Sequence, residues 1–224
     1  MSDSPYRHRY AVDFTVDGDI RFVGHNDVIL MFARACVRSR LPVSFSEGFN
    51  PRARVSVPFP RLVGQASDVE RLLVDLTKEV SPDEVCERLA AEMPTGVVLR
   101  SATALHRNDV SPPRWVEYRI DAPLPDAKTL GDRIASLLAS ESVEITRVRH
   151  KDRRARVVNI RPFVDTVRLS PPGLAVAVHV NETGSARPEE VCRALGMEAD
   201  GIGHLIRRVK IKWQNEPGPP TPPP

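Results

Sequence analysis

Between Tyr10 and Ser39 the sequence changes its hydrophobic period, and this change constrains the fold more than any other feature. Tyr10, Val12, Phe14 and Val16 alternate with polar residues, the two-residue repeat of a half-buried strand. Asp17-Gly18-Asp19 marks a turn. From about residue 26 to 39, Val28, Phe32, Cys36 and Ser39, with Ile29 and Ala35 beside them, recur at helical spacing. Leu41-Pro42 stops that helix, because proline restricts the residue before it. A strand that feeds a helix through a short turn is the opening of an α+β domain.

The rest of the first half fits the same class. Short strands are expected around Val43 to Phe45 and at Val55, Val57 and Phe59, and a longer one at Leu72, Val74 and Leu76. Ser81-Pro82-Asp83-Glu84 opens a helix by local rules: a serine cap, proline in the first turn and glutamate three residues after the cap. Val85, Leu89 and Met93 line its apolar face, and residues 96–102 read as a closing strand. The order is β-α-β-β-α-β with one additional short strand, a ferredoxin-like order.

The order recurs after a polar stretch with Pro112-Pro113. Val116, Tyr118 and Ile120 form a strand, Leu130, Ile134, Leu137 and Leu138 a helix, and Val143 and Ile145 a further strand. Residues 157–164 form another short strand. Ser170-Pro171-Pro172-Gly173 turns a hairpin, Pro188-Glu189-Glu190 begins a helix that Gly196 ends, and Val209, Ile211 and Trp213 close the sheet. The expected organisation is therefore two ferredoxin-like lobes with mainly antiparallel sheets, 1–105 and 115–215, joined by a linker at 106–114. Residues 216–224, nearly all proline and glycine, are expected to be a disordered tail.

A hydrophobic content of 41% supports a packed core, and an aromatic content of 5% makes that core aliphatic. No apolar run approaches the ~20 residues that span a bilayer, and Met1 to Arg9 lacks the apolar centre of a signal peptide. Cys36, Cys86 and Cys192 lie far apart with no C-x-x-C, so they are expected to be reduced thiols, and the chain has no local iron–sulfur cradle or zinc clip. A cytoplasmic protein with no membrane contact is expected.

The net charge of +3 says little, but its distribution says more. Arg147, Arg149, Lys151, Arg153, Arg154 and Arg156 form one basic group, and Arg207, Arg208, Lys210 and Lys212 a second. Either group can neutralise phosphates or serve as a solvated strand edge that discourages aggregation. Both readings stay open.

The most specific local motif is Ser46-Glu47-Gly48-Phe49-Asn50-Pro51. Gly48 permits a positive φ, Asn50-Pro51 fixes a turn, and Arg52 and Arg54 follow. An outward Phe49 beside two arginines can stack a base and hold its phosphate. On local chemistry alone, a Phe49 folded inward to pin the loop is the better reading. A second candidate is Arg21-Phe22-Val23-Gly24-His25-Asn26-Asp27, between strand and helix. There His25 is a proton carrier with Asp27 beside it, or Asn26 or Asp27 caps the helix and His25 is a surface residue. No Walker loop, G-x-G-x-x-G or nucleophile elbow occurs. Catalysis therefore requires residues gathered by folding, with His25, Asp27 and Glu47 as the candidates.

Three segments together resemble a bacterial family called the radical-SAM-linked domain of unknown function: the 21–27 segment, FSEGFNPRARVSVPFPRLVG from Phe45 through Gly64, and GSARPEEVCRALG from Gly184 through Gly196. The resemblance covers nearly the whole chain apart from the tail. It implies a radical-SAM protein as partner, which supplies the iron–sulfur cluster and S-adenosylmethionine, with none in this chain. With its initial methionine, the chain resembles the separate version that acts in trans. Relatives are often encoded near ribosomal-protein genes and an RNA-processing nuclease, which implies work on RNA by association. The family commonly has Ser-His-Leu-Asp where this chain has Gly24-His25-Asn26-Asp27, and a second proline where this chain has Ala53.

Three functions follow as expectations. The first is an accessory module that binds tRNA or rRNA through Phe49, Arg52, Arg54, Arg149, Lys151, Arg153, Arg154 and Arg156, with Gly48, Asn50, Pro51 and Gly64 shaping the loop. The second is a scaffold for the radical-SAM partner without nucleic-acid contact, and the third a stand-alone enzyme using His25, Asp27 and Glu47.

Overall fold

A computed structural model of the protein describes residues 7–106, 112–124, 126–148 and 155–214. The chain divides into two compact units between Pro112 and Pro113. It is a mixed α+β protein, its strands pair mostly antiparallel, and the described residues contain four α-helices.

In the first unit the alternating segment is strand β1 (His8–Val16), with Tyr10, Val12, Phe14 and Val16 buried. A 3-10 turn (Gly18–Phe22) leads to helix α1 (His25–Arg38), which buries Val28, Phe32, Ala35 and Cys36. Phe14 and Phe32 meet edge to face, with ring centroids 4.8 Å apart, fastening α1 to β1. Strands β2 (Val55–Ser56) and β3 (Ala66–Leu76), helix α2 (Pro82–Ala90) and strand β4 (Val97–Leu105) follow. The order across the sheet is β2-β3-β1-β4, each pairing antiparallel. The Ser81 hydroxyl accepts from the Glu84 backbone N–H at 3.2 Å, the cap that its local sequence predicts.

Two expected strands are reduced. Val43 to Phe45 contributes only single bridges, Val43 to Leu76 and Phe45 to Ala53, and the Val55–Phe59 strand stops at Ser56. Pro58 and Pro60 remove donors from the ladder, so pairing cannot continue past them. Helix α2 also ends before Met93, which packs partly buried against the core from beyond it.

The second unit opens with strand β5 (Pro113–Ile120), helix α3 (Ala127–Ala139) and a two-stranded hairpin of β6 (Glu144–Val148) and β7 (Ala155–Asn159). Strands β8 (Val164–Ser170), β9 (Gly173–Asn181) and β10 (Gly184–Ser185), helix α4 (Pro188–Ala194) and strand β11 (Ile206–Trp213) complete it. β8 and β10 share one edge of β9, followed by β5 and then β11. The expected strand at 157–164 instead ends at Asn159, because Pro162 lies in a 3-10 turn (Arg161–Phe163). β5 begins at Pro113, inside the segment expected as linker; residues 107–111 and the tail at 216–224 lie outside the described residues. In β11 the register shifts between Arg208 and Lys210, so Ile206 and Arg208 are buried on one side of the bulge and Trp213 on the other.

Candidate functional site

The two motif segments of the first unit are physically joined. The Arg61 guanidinium donates to the carbonyls of Arg21 (2.5 Å), Gln65 (3.1 Å) and Leu62 (3.3 Å), with longer contacts of 3.4 Å to Ile20 and Val23. The Gly64 N–H also donates to the Arg21 carbonyl, at 2.8 Å. Gly64 is buried with φ +90°, a backbone that favours glycine at this crossing. The 21–27 segment and the 57–65 segment thus fold as one piece.

Beneath that clamp is a cavity of about 10 Å³, room for about one water. His25, Arg61 and Glu70 line it with Phe14, Val16, Val23, Val28 and Val57. Glu70 is only 3% exposed, a carboxylate at an inward position of β3. Its parity with Leu72, Val74 and Leu76 marks it in the sequence, yet the candidate residues omit it. Asp27 and Glu47 line neither this cavity nor the groove described below. The Asp27 carboxylate sits in the first turn of α1 beside Gly24, where a negative charge suits the helix dipole. The cap of α1 is Gly24 itself, not Asn26 or Asp27, and it has no side-chain capping bond. Glu47 is exposed on the loop.

The loop at 46–51 is held at its neck. Ser46 N–H donates to the Arg52 carbonyl (2.8 Å), and Arg52 N–H donates to Ser46 Oγ (2.9 Å). The stems continue inward through Arg54 N–H to the Ser44 carbonyl (2.8 Å) and Ser44 N–H to the Asp75 carbonyl on β3 (2.8 Å). Gly48 has φ +117° with nothing near the place a Cβ would occupy, so dihedral and not space favours glycine. Phe49 is fully exposed, which corrects the inward reading. The neck closes at Ser46, three positions before Phe49, and the tip extends beyond it into solvent. Asn50, Pro51 and Arg52 are exposed as well, while Arg54 is half-buried and its Nε donates to the Phe45 carbonyl at 3.3 Å.

Between this loop and α1 runs an open groove of about 1100 Å³. The helix contributes two rows at four-residue spacing, Ile29-Ala33-Val37 and Asn26-Leu30-Arg34-Arg38. Phe45, Pro51, Arg52, Ala53 and Val55 form the opposite wall. Leu30, Val37 and Phe45 are 46%, 58% and 47% exposed. In the sequence the helix side is signalled only by Leu30 and Val37, which fall off the Val28-Phe32-Cys36 stripe and so form a second apolar face.

The basic groups divide differently. Arg147 forks onto the buried Glu190 at 2.7 and 2.8 Å and also donates to the Ser185 carbonyl, so it is structural. Arg156 is exposed on β7, and Arg149, Lys151, Arg153 and Arg154 lie outside the described residues. The β11 group is largely drawn into the sheet. Arg208 is buried over Tyr118 (5.9 Å), Lys212 lies over Trp115 (4.6 Å), and Lys210 reaches Glu117 (3.7 Å). Burial pushes the Cys36 and Cys192 thiols up to about 12, which keeps them protonated at neutral pH. No helix among the described residues is long and apolar enough to cross a membrane.

The chain is thus a two-unit α+β protein whose first unit presents an anchored, outward aromatic loop beside an apolar groove. The chain belongs to the DUF2344 family, described as uncharacterized proteins conserved in bacteria, which matches residues 9–188. The match takes in the 21–27 and 45–64 segments whole. No curated protein matches the chain.

Proposed function

We propose that the chain is an accessory module that binds RNA and works with a separate radical-SAM protein in the cytoplasm. The observation that carries the RNA reading is Phe49, fully exposed on a loop closed at its neck, with Arg52 and Arg54 on the adjoining stem. A rigid outward aromatic stacks on a base at little entropic cost, and flanking guanidiniums attract the phosphates. Arg156, exposed on β7, and the basic residues between β6 and β7 in the sequence add a second positively charged group. The radical-SAM partner, with its cluster and S-adenosylmethionine, comes from the family resemblance. The strand orders β2-β3-β1-β4 and β8-β9-β5-β11 support reading both units as ferredoxin-like.

The test is fluorescence polarisation with a labelled single-stranded RNA at 50 and 200 mM salt. If two phosphates are neutralised, affinity falls roughly sevenfold across that range. Phe49→Ala weakens binding about tenfold, by the loss of one stacked base. Binding absent at low salt, or indifferent to both Phe49→Ala and the double change Arg52→Ala/Arg54→Ala, sinks the RNA reading. A pull-down with and without nuclease then tests the radical-SAM partner: a contact that survives nuclease is direct. The scaffold reading, without RNA, is favoured by a different observation, the apolar groove.

A further inference from the structure

The groove beside α1 carries an inference that goes beyond RNA binding and uses other residues, with only Arg52 shared. We propose that it docks an amphipathic helix of a partner protein, one whose apolar face is flanked by carboxylates.

Rows of side chains four residues apart are the ridges by which helices interdigitate. Here they lie on the open side of α1, with the small Ala33 between Ile29 and Val37, so an incoming ridge can approach closely. Leu30, Val37 and Phe45 leave large apolar surfaces in water along one continuous groove, and a covering apolar face removes them. α1 is 14 residues long, about 21 Å at 1.5 Å per residue, and an occupant of three to four turns matches it.

Charge selects the kind of helix. Arg34 stands on the helix side and Arg52 on the loop side, both exposed, and no carboxylate lines the groove. Arg38 is already paired with Glu92 at 2.6 Å, so Arg34 and Arg52 set the preference. Carboxylates flanking an apolar stripe would meet one arginine on each wall. The floor is mainly aliphatic and lacks the repeated aromatic platforms on which nucleic-acid bases stack, which favours protein over RNA here.

The test uses the full chain and three labelled synthetic helices: leucines at i, i+3, i+4 and i+7 flanked by glutamates, the same peptide flanked by lysines, and a scrambled form of the first. Fluorescence polarisation is expected to show the acidic peptide binding at least about tenfold tighter than the other two. Leu30→Glu and Val37→Glu should each weaken it by about tenfold or more, and Arg34→Glu should shift the preference towards the lysine peptide. These positions are exposed, and thermal melts check that each variant is folded; Leu30→Met, which keeps the apolar surface, should retain binding. No binding of the acidic peptide at about 1 mM overturns the proposal. So does equal binding of the lysine twin, or indifference to Leu30→Glu. Displacement of the peptide by RNA, with RNA affinity lost in Leu30→Glu, assigns the groove to nucleic acid instead. A concentration-dependent dimer that Leu30→Glu dissolves assigns it to a second copy of the chain. Phe49→Ala should leave the peptide bound, so the RNA reading and the groove can fail separately.

Discussion

Residues 45–54 and 57–65 are neighbours in one sequence motif, yet they end in opposite conditions. In the second segment Arg61 is spent on the backbone, with five carbonyls around its guanidinium, and Gly64 is buried at the crossing with Arg21. In the first, Phe49 and Arg52 face solvent from a loop tied at its neck. Residues of similar chemistry, an arginine and a glycine in each, therefore serve assembly in one place and exposure in the other. One sequence motif is not one site: its locked half fastens the 21–27 segment, and its open half presents side chains to solvent.

Breaking the locked half should give the largest effect. Arg61→Ala removes a charged donor from a set of backbone carbonyls and is expected to cost about 2 to 4 kcal/mol, read from the urea midpoint. A loss under about 0.5 kcal/mol would put Arg61 among ordinary surface arginines and erase the contrast. Phe49→Ala, in the open half, should leave that midpoint within about 0.5 kcal/mol while weakening RNA about tenfold. A large stability loss there would mean that the phenylalanine packs after all. Gly48→Ala is intermediate: the site has space, but φ +117° strains any L side chain, so about 1 kcal/mol is expected. An unchanged midpoint would show a tip free to re-form its backbone.

The smallest effect asks whether burial alone locks a side chain. Burial, first among several influences, raises the Glu189 carboxyl above its ordinary value of 4.5, and Glu189 Oε2 is buried without a hydrogen-bond partner. Its protonated form is favoured by folding, so this group penalises the folded state as pH rises through the unfolded and then the raised folded value. Glu189→Gln should therefore match the parent in melting temperature near pH 4 and exceed it slightly at pH 7. Equal gaps at both pH values would locate the effect outside this carboxyl's ionisation.

What could be read from the sequence was mostly local. The β1 alternation, the Val28-Phe32-Cys36 stripe, the Ser81 cap and the turn before Gly173 depend on neighbours a few residues apart, and each appears where its pattern puts it. Where pairing competes with proline the pattern misleads, as at Pro58, Pro60 and Pro162. The bulge between Arg208 and Lys210 shifts which β11 residues face inward, and the sequence carries no mark of it. For the site, the sequence points to the right loop, but Phe49's direction depends on the Ser46–Arg52 neck, a contact across the loop. Arg61 and Glu70 were within reach, one a cation inside a proline-rich segment and the other a carboxylate at an inward strand position. Their roles emerge only when β3 and the 21–27 segment come together.

The neck at Ser46 and Arg52 has a consequence for engineering the loop. Because closure depends on the Ser46 hydroxyl and three backbone groups, the side chains at 47 and 49, which take no part in it, can change without disturbing the frame that presents them. For the experimenter the neck marks where a reporter or a foreign recognition sequence can be spliced into the folded protein.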